Sequence, residues 1–116
     1  MPAVLTLPAG AGADKLAELL AARLPAEVAL RRAALRAPAS RPLLMTMQAP
    51  GRASYVFHGL RAADLDDILA TLALWRAAPG GWISDARPCG RLRHCLWLRL
   101  PATDPGETPP MPTKNS

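Results

Sequence analysis

Near its carboxyl end the chain reads RLRHCLWLRL over Arg91–Leu100, and this stretch organises the predicted fold. Its even-numbered positions carry four leucines and His94, and its odd-numbered positions carry three arginines, Cys95 and Trp97. Successive side chains of a β-strand point to opposite faces of the sheet. The alternation therefore predicts one half-buried strand over the whole stretch, with the leucines facing inward and a basic face that includes the Trp facing outward.

The composition predicts one folded domain over residues 1–101 of the 116-residue chain. Half of the residues are hydrophobic, which is enough for a core and argues against a wholly disordered chain. Aromatic residues make up only 4%, so we expect a core of Leu, Val, Ala and Met side chains. Residues 102–116 are polar and rich in proline, without any periodicity, and they predict a disordered tail.

Charge and hydropathy indicate the class of protein and the partners open to it. No apolar run approaches the roughly 20 residues that span a bilayer, and the amino terminus lacks the pattern of a signal peptide, so we expect a soluble, cytoplasmic protein. The net charge of +5 permits an anionic partner such as nucleic acid, acidic protein or anionic lipid. The bias towards Ala, Leu, Arg and Pro is typical of a GC-rich bacterial genome, and this bias is the favoured explanation of the charge.

The first half of the chain predicts a β-α-β unit. Val4–Leu7 is a candidate strand, and residues 14–24 carry leucines at helical spacing before Pro25. Residues 27–37 combine high helix propensity with poor helical spacing, so both helix and strand remain open there. A strand is slightly favoured, because it would complete a β-α-β unit that buries the first helix on a sheet.

The second half predicts a hairpin, a helix and the last strand. Residues 43–48 and 53–58 flank Pro50-Gly51, a pair that suits a type II turn. Residues 62–77 carry an apolar stripe, aspartates in the first turn and Arg76 in the last, as a helix dipole favours. Residues 82–84 are predicted to form a short strand or a buried loop.

These elements together predict an α+β fold. Two helices pack on one face of a mainly antiparallel sheet, in a ferredoxin-like or related two-layer sandwich. The other face of the sheet is then expected to be partly open, as antiparallel sheets allow. A fold of this class hosts many activities, so function has to be argued from particular side chains.

No group of residues predicts catalysis, a metal site or a cofactor, and an enzyme is the least favoured class. The cysteines and histidines, Cys89, His94, Cys95 and His58, lack the close-paired spacing of zinc ligands. Cys95 beside His94 resembles a nucleophile with its base. Neighbouring residues on a strand point apart, however, so these two could not form the required hydrogen bond.

The candidate binding residues are therefore Arg91, Arg93, Trp97 and Arg99 on the predicted basic face. An exposed Trp among arginines is typical of protein interfaces. The favoured function is a small bacterial interaction or regulatory module, which acts through a protein partner or through self-association on the open sheet face. The alternative is a nucleic-acid-binding domain, with the arginines on phosphates and Trp97 stacked on bases.

Overall fold

The computed structural model describes residues 3–35, 40 and 42–102, and these fold as one five-stranded mixed sheet with helices. The strands are β1 (Ala3–Pro8), β2 (Val28–Ala33), β3 (Met45–Gln48), β4 (Ser54–Phe57) and β5 (Leu96–Leu100). The α-helices are α1 (Ala11–Arg23) and α2 (Leu65–Ala77), and 3-10 segments cover Ala62–Asp64, Pro79–Gly81 and Arg87–His94. The predicted tail lies outside the described residues from position 103 on.

The strands lie in the order β2-β1-β3-β4-β5. β1 and β2 pair in parallel, while the other three neighbouring pairs are antiparallel. The prediction of an α+β fold with a mainly antiparallel sheet is therefore confirmed. Both α-helices pack on the same face of the sheet, which we call the helix face, where their apolar side chains join those of Leu5, Met47 and Tyr55 in one core.

The first half of the chain forms the predicted β-α-β unit. The ambiguous residues 27–37 contain β2, so the choice of strand over helix is confirmed. α1 starts earlier than predicted, directly after Gly10, whose φ of 112° is accessible to glycine without steric cost. Leu16 and Leu20 on this helix are almost wholly buried against the sheet.

The second half contains the predicted hairpin and helix. Gly51 has a φ of 72°, and the Arg52 amide donates to the Ala49 carbonyl over 3.2 Å, as in the predicted type II turn. α2 is anchored by Trp75, which is fully buried and whose indole N–H donates to the Ala53 carbonyl over 2.9 Å. This bond ties the helix directly to the strand that follows the turn.

The prediction of one strand over residues 91–100 is wrong for its first half. Residues 87–94 form 3-10 turns against α2, and the strand begins only at Leu96. Gly90, with a φ of 61°, turns the chain, and the Arg91 amide donates to the Asp67 carboxylate over 3.1 Å. Leu92 is fully buried in this arrangement. The partner strand β4 is also only four residues long, so it offers no ladder to a ten-residue strand.

The opposite side of the sheet, which we call the back face, carries Thr46, Val56 and Leu98 at paired positions. This face was expected to be partly open, and its centre is closed, because Ser54 and Val56 are 0% exposed and Thr46 is 3% exposed. Towards its margins this face leaves side chains in water: Val4, Gln48, Leu98 and Leu100 are half-buried and Ala29 is exposed.

Candidate functional site

The four candidate binding residues do not share one surface. Arg91 turns inward: its guanidinium forms an ion pair with the Asp64 carboxylate, which is 4% exposed, and donates to the Gly59 carbonyl over 3.0 Å. A third contact, of 3.4 Å, joins it to the sulfur of Cys95. Arg91 therefore braces the start of α2 against the segment before β5, and its guanidinium is already occupied.

Trp97 lies apart from the arginines that were expected around it. Its ring stacks on the imidazole of His58, with 5.1 Å between the ring centroids, at the point where the β4–β5 register shifts. Arg99 instead lies over the ring of Trp82, with its guanidinium carbon 5.8 Å from the ring centroid. Trp82 is 47% exposed and is the large hydrophobic side chain that the described surface presents to water.

Arg93 and Arg99 are the two candidates that the structure brings together. Both border one cavity of about 60 Å³ between the sheet and the segments that follow α2. We call it the interlayer cavity. Its other lining residues come from β4, α2, the following loop and β5, and are Tyr55, Phe57, Thr71, Ile83, Ala86, Cys89 and Leu96.

The wall of the interlayer cavity is held in place by hydrogen bonds to neighbouring backbone. The Ile83 amide donates to the hydroxyl oxygen of Tyr55 over 2.8 Å, which fixes the loop over β4. The Thr71 hydroxyl donates to the Asp67 carbonyl over 2.7 Å. These polar atoms are therefore engaged within the protein, and the surface that remains towards the cavity is mainly apolar.

No protein-family model, curated protein or solved structure matches this chain. The described residues include no helix that is long and apolar enough to cross a membrane. Within the same part of the chain, no three residues among His, Cys, Asp and Glu are grouped so that they could hold a metal ion. The chemistry of the interlayer cavity therefore has to be argued from its own geometry.

The electrostatics at the mouth of the cavity are dominated by guanidinium groups. The Nε of Arg93 donates to the Nε2 of His94 over 3.2 Å, a contact with no negative charge. One carboxylate that feels the charge of Arg93 is Asp85, whose pKa is lowered mainly by the hydrogen bond from the Arg87 side chain. The charge of Arg93 lowers that pKa further, but by less. The Asp85 carboxylate is thus already held by Arg87, at 2.8–3.2 Å.

Sequence reasoning located the two arginines of this site but missed its walls. Ile83 and Cys89 lie in a stretch without periodicity, and each reaches the cavity only because the chain folds back under α2. One signal was present in the sequence: Pro79-Gly80-Gly81 requires a tight change of direction. Gly81, with a φ of 79°, approaches Trp75 so closely that an added Cβ would lie 2.8 Å from its indole nitrogen.

Proposed function

We propose that this protein is a small interaction or regulatory module that works by self-association through the outer edge of β5. The observation that carries the proposal is the composition of that edge. β5 is the last strand of the sheet, and in the described residues no further strand pairs with it. Its side chains Leu96, Trp97, Leu98 and Leu100 are apolar and only half-buried. An edge of this kind is a template for another strand.

The opposite edge of the sheet has the features that discourage such pairing. β2 carries Arg31 and Arg32, and charged side chains on an edge strand hinder pairing with a strand of another molecule. The Arg32 side chain also folds back and donates to the Pro8 carbonyl over 2.9 Å. β5 has one charged side chain, Arg99, and neither lysine nor proline, and its fewer charges point to β5 as the associating edge.

At the centre of β5, the backbone N–H and C=O groups of Arg99 have no strand partner among the described residues. The His58 amide donates to the Cys95 carbonyl over 2.9 Å, so the even-numbered positions of β4 direct their backbone groups towards β5. Leu98 and Leu100 lie opposite Val56 and Ser54, and their backbone groups are therefore used inside the sheet. Arg99 directs its own N–H and C=O outward, where an added strand would find them.

A second copy of the chain is the partner that this edge fits. Two β5 strands related by a two-fold axis would pair antiparallel and join two five-stranded sheets into one, in a closed, isologous contact. A five-residue strand offers little area, so the dimer is expected at the weak end of the range for specific interfaces. Weak, concentration-dependent pairing suits a regulatory module.

The alternative, nucleic-acid binding on the sheet face, has less support. It requires Arg91, Trp97 and Arg99 on one surface, whereas Arg91 is paired with Asp64 and Trp97 with His58. The finer fold class is also a proposal. In the ferredoxin-like sandwich a split β-α-β unit places another strand between its two parallel strands, whereas β1 and β2 are adjacent, so we propose a related two-layer sandwich rather than that fold itself.

Lysine substitutions on the two edges test the proposal. Leu100→Lys on β5 and Ala29→Lys on β2 place the same side chain at partly or fully exposed positions of the back face. We expect size-exclusion chromatography with light scattering to show a concentration-dependent dimer for the wild type and for Ala29→Lys. Leu100→Lys should weaken the dimer about tenfold, or about 1.4 kcal/mol.

A wild type that stays monomeric across the concentration range would refute self-association, as would equal effects of the two lysines. The same chromatography is repeated with added single-stranded RNA and with duplex DNA. Co-elution with either one, abolished by moderate salt, would favour the nucleic-acid alternative instead.

A further inference from the structure

We propose that the interlayer cavity binds a carboxylate carried on a short, branched apolar chain, with Arg93 and Arg99 holding the carboxylate. The site adjoins the self-association edge, and Leu96 and Arg99 of β5 contribute to both. Its ligand is defined by two features of the cavity, its apolar interior and its cationic mouth.

The interior sets the size and polarity of the ligand. One water-sized group occupies roughly 10–15 Å³ of cavity volume. The cavity of about 60 Å³ therefore has room for about four to six water-sized groups. Leu96, Phe57 and Cys89 supply apolar walls, and the hydroxyls of Tyr55 and Thr71 are already hydrogen-bonded. A branched chain of four or five carbons fits this space, whereas a polar group would lose its hydration there without replacement.

The mouth sets the charge of the ligand. Arg93 and Arg99 are exposed, and neither forms an ion pair with a carboxylate in the described part of the chain. Two positive groups on one small rim repel one another, and an anion between them removes that repulsion. Guanidinium groups bind carboxylates through paired N–H···O bonds, which makes a carboxylate the matching anion.

Neighbouring side chains do not neutralise the positive charges of Arg93 and Arg99. Arg93 interacts electrostatically with the Asp85 carboxylate, but Arg87 holds both oxygens of that carboxylate. The ring of Trp82 lies beneath Arg99 and supports the guanidinium without neutralising it. The rim therefore keeps its positive charge, directly above an apolar space.

The test is a titration of the full-length, methyl-labelled protein with 4-methylpentanoate, followed by the methyl signals of Ile83 and Ala86. We expect saturable shifts at both. Arg93→Gln and Arg99→Gln should each weaken binding about tenfold, because each removes a charge-assisted bond. Arg23→Gln at the end of α1 is the matched control, since this exposed arginine lies outside the cavity lining, and it should change the affinity less than twofold. Ala86→Leu, which fills the cavity, should abolish binding.

The uncharged 4-methylpentanamide separates the contribution of the carboxylate from that of the chain. Equal affinity of amide and acid, or full affinity in both arginine variants, would overturn the proposal, and so would the absence of saturable shifts in a folded wild type. N-acetylleucine identifies the source of the carboxylate: tighter binding than the free acid indicates the carboxyl terminus of a peptide, and weaker binding indicates a free acid. The titration is run on Leu100→Lys as well, so that loss of self-association and loss of ligand binding are read separately.

Discussion

Arg32 and Arg91 form closely similar bridges in the two halves of the molecule. Arg32 donates to the Pro8 carbonyl over 2.9 Å, to the Gly10 carbonyl over 3.0 Å and to the Asp14 carboxylate over 2.8 Å. It thereby ties the edge strand β2 to the entry of α1. Arg91 likewise reaches one backbone carbonyl and one carboxylate, and it ties the segment before β5 to the start of α2.

The difference between the two bridges lies in the carboxylate. Both arginine side chains are 33% exposed, but Asp14 is 65% exposed and Asp64 only 4% exposed. Water competes for Asp14 and screens its charge, whereas Asp64 depends on the protein for its partners. One of these is the Arg61 amide, which donates to Asp64 over 2.8 Å. Similar contacts therefore have different consequences, and the degree of burial decides which bridge the fold depends on.

The largest expected effect is the loss of the buried bridge. Arg91→Ala leaves the Asp64 carboxylate without its counter-charge, and we expect the free energy of unfolding to fall by about 3 kcal/mol. Arg32→Ala, the matched change in the exposed bridge, should cost no more than about 1 kcal/mol. Urea unfolding followed by circular dichroism measures both values. Equal losses in the two variants would show that burial does not separate the bridges.

Two glycines extend the comparison from side chains to backbone. An added Cβ at Gly90 would lie 2.5 Å from the Asp67 carboxylate, which is held by the Arg91 amide, and Gly90 has a φ of 61°. We expect Gly90→Ala to destabilise the protein by about 2 kcal/mol. Gly12 lies in α1 with no atom within 4 Å of an added Cβ, so Gly12→Ala should stabilise the protein by up to about 1 kcal/mol.

The same unfolding assay decides the outcome for the glycines. If the free energy of unfolding falls for Gly90→Ala and rises for Gly12→Ala, the segment after α2 is closely packed while the start of α1 has open space. A neutral Gly90→Ala would mean that Asp67 can move without cost, which contradicts its role in turning the chain before β5.

The smallest expected effect comes from the bridge most exposed to water, between Asp85 and Arg87. Its hydrogen bonds hold the pKa of Asp85 below its ordinary value. A lowered folded-state pKa stabilises the fold above the unfolded-state pKa, and that contribution is lost as the pH falls through the folded-state value. Arg87→Gln should therefore raise the pKa of Asp85 towards its ordinary value, as measured by NMR titration of its carboxyl carbon. An unchanged pKa would contradict this assignment.

The success of sequence-based prediction differs between the two halves for a physical reason. β1, α1 and β2 follow one another with a short link, and their hydrophobic periodicity is set by neighbours that are close in the chain. Residues 91–94 alternate as a strand does, yet they form 3-10 turns because Asp64, just before α2, and Asp67, in α2, supply partners. Period-two alternation reports which side chains are apolar, but it does not report which backbone groups already have a partner.

The candidate site illustrates the same limit. Arg93 and Arg99 could be selected from the sequence, because both lie in a basic alternating stretch. Trp97 was selected on the same grounds, but its ring lies on His58, and Trp82 takes the place beside Arg99. The walls of the interlayer cavity come from elements far apart in the chain, so no local pattern could have grouped them.

The sequence by itself determined the local elements of this protein. The leucine spacing of α1, the Pro50-Gly51 turn and the apolar stripe of α2 all act within a few residues, where steric and hydrophobic preferences are strong. Only the tertiary structure decided which arginine pairs with a carboxylate. Arg91 and Arg93 are equivalent in the alternating pattern, but Asp64, which lies 27 residues before Arg91, pairs with it and leaves Arg93 at the cavity mouth. Such a pairing depends on how α2 packs against the chain before β5, and that is a property of the whole fold.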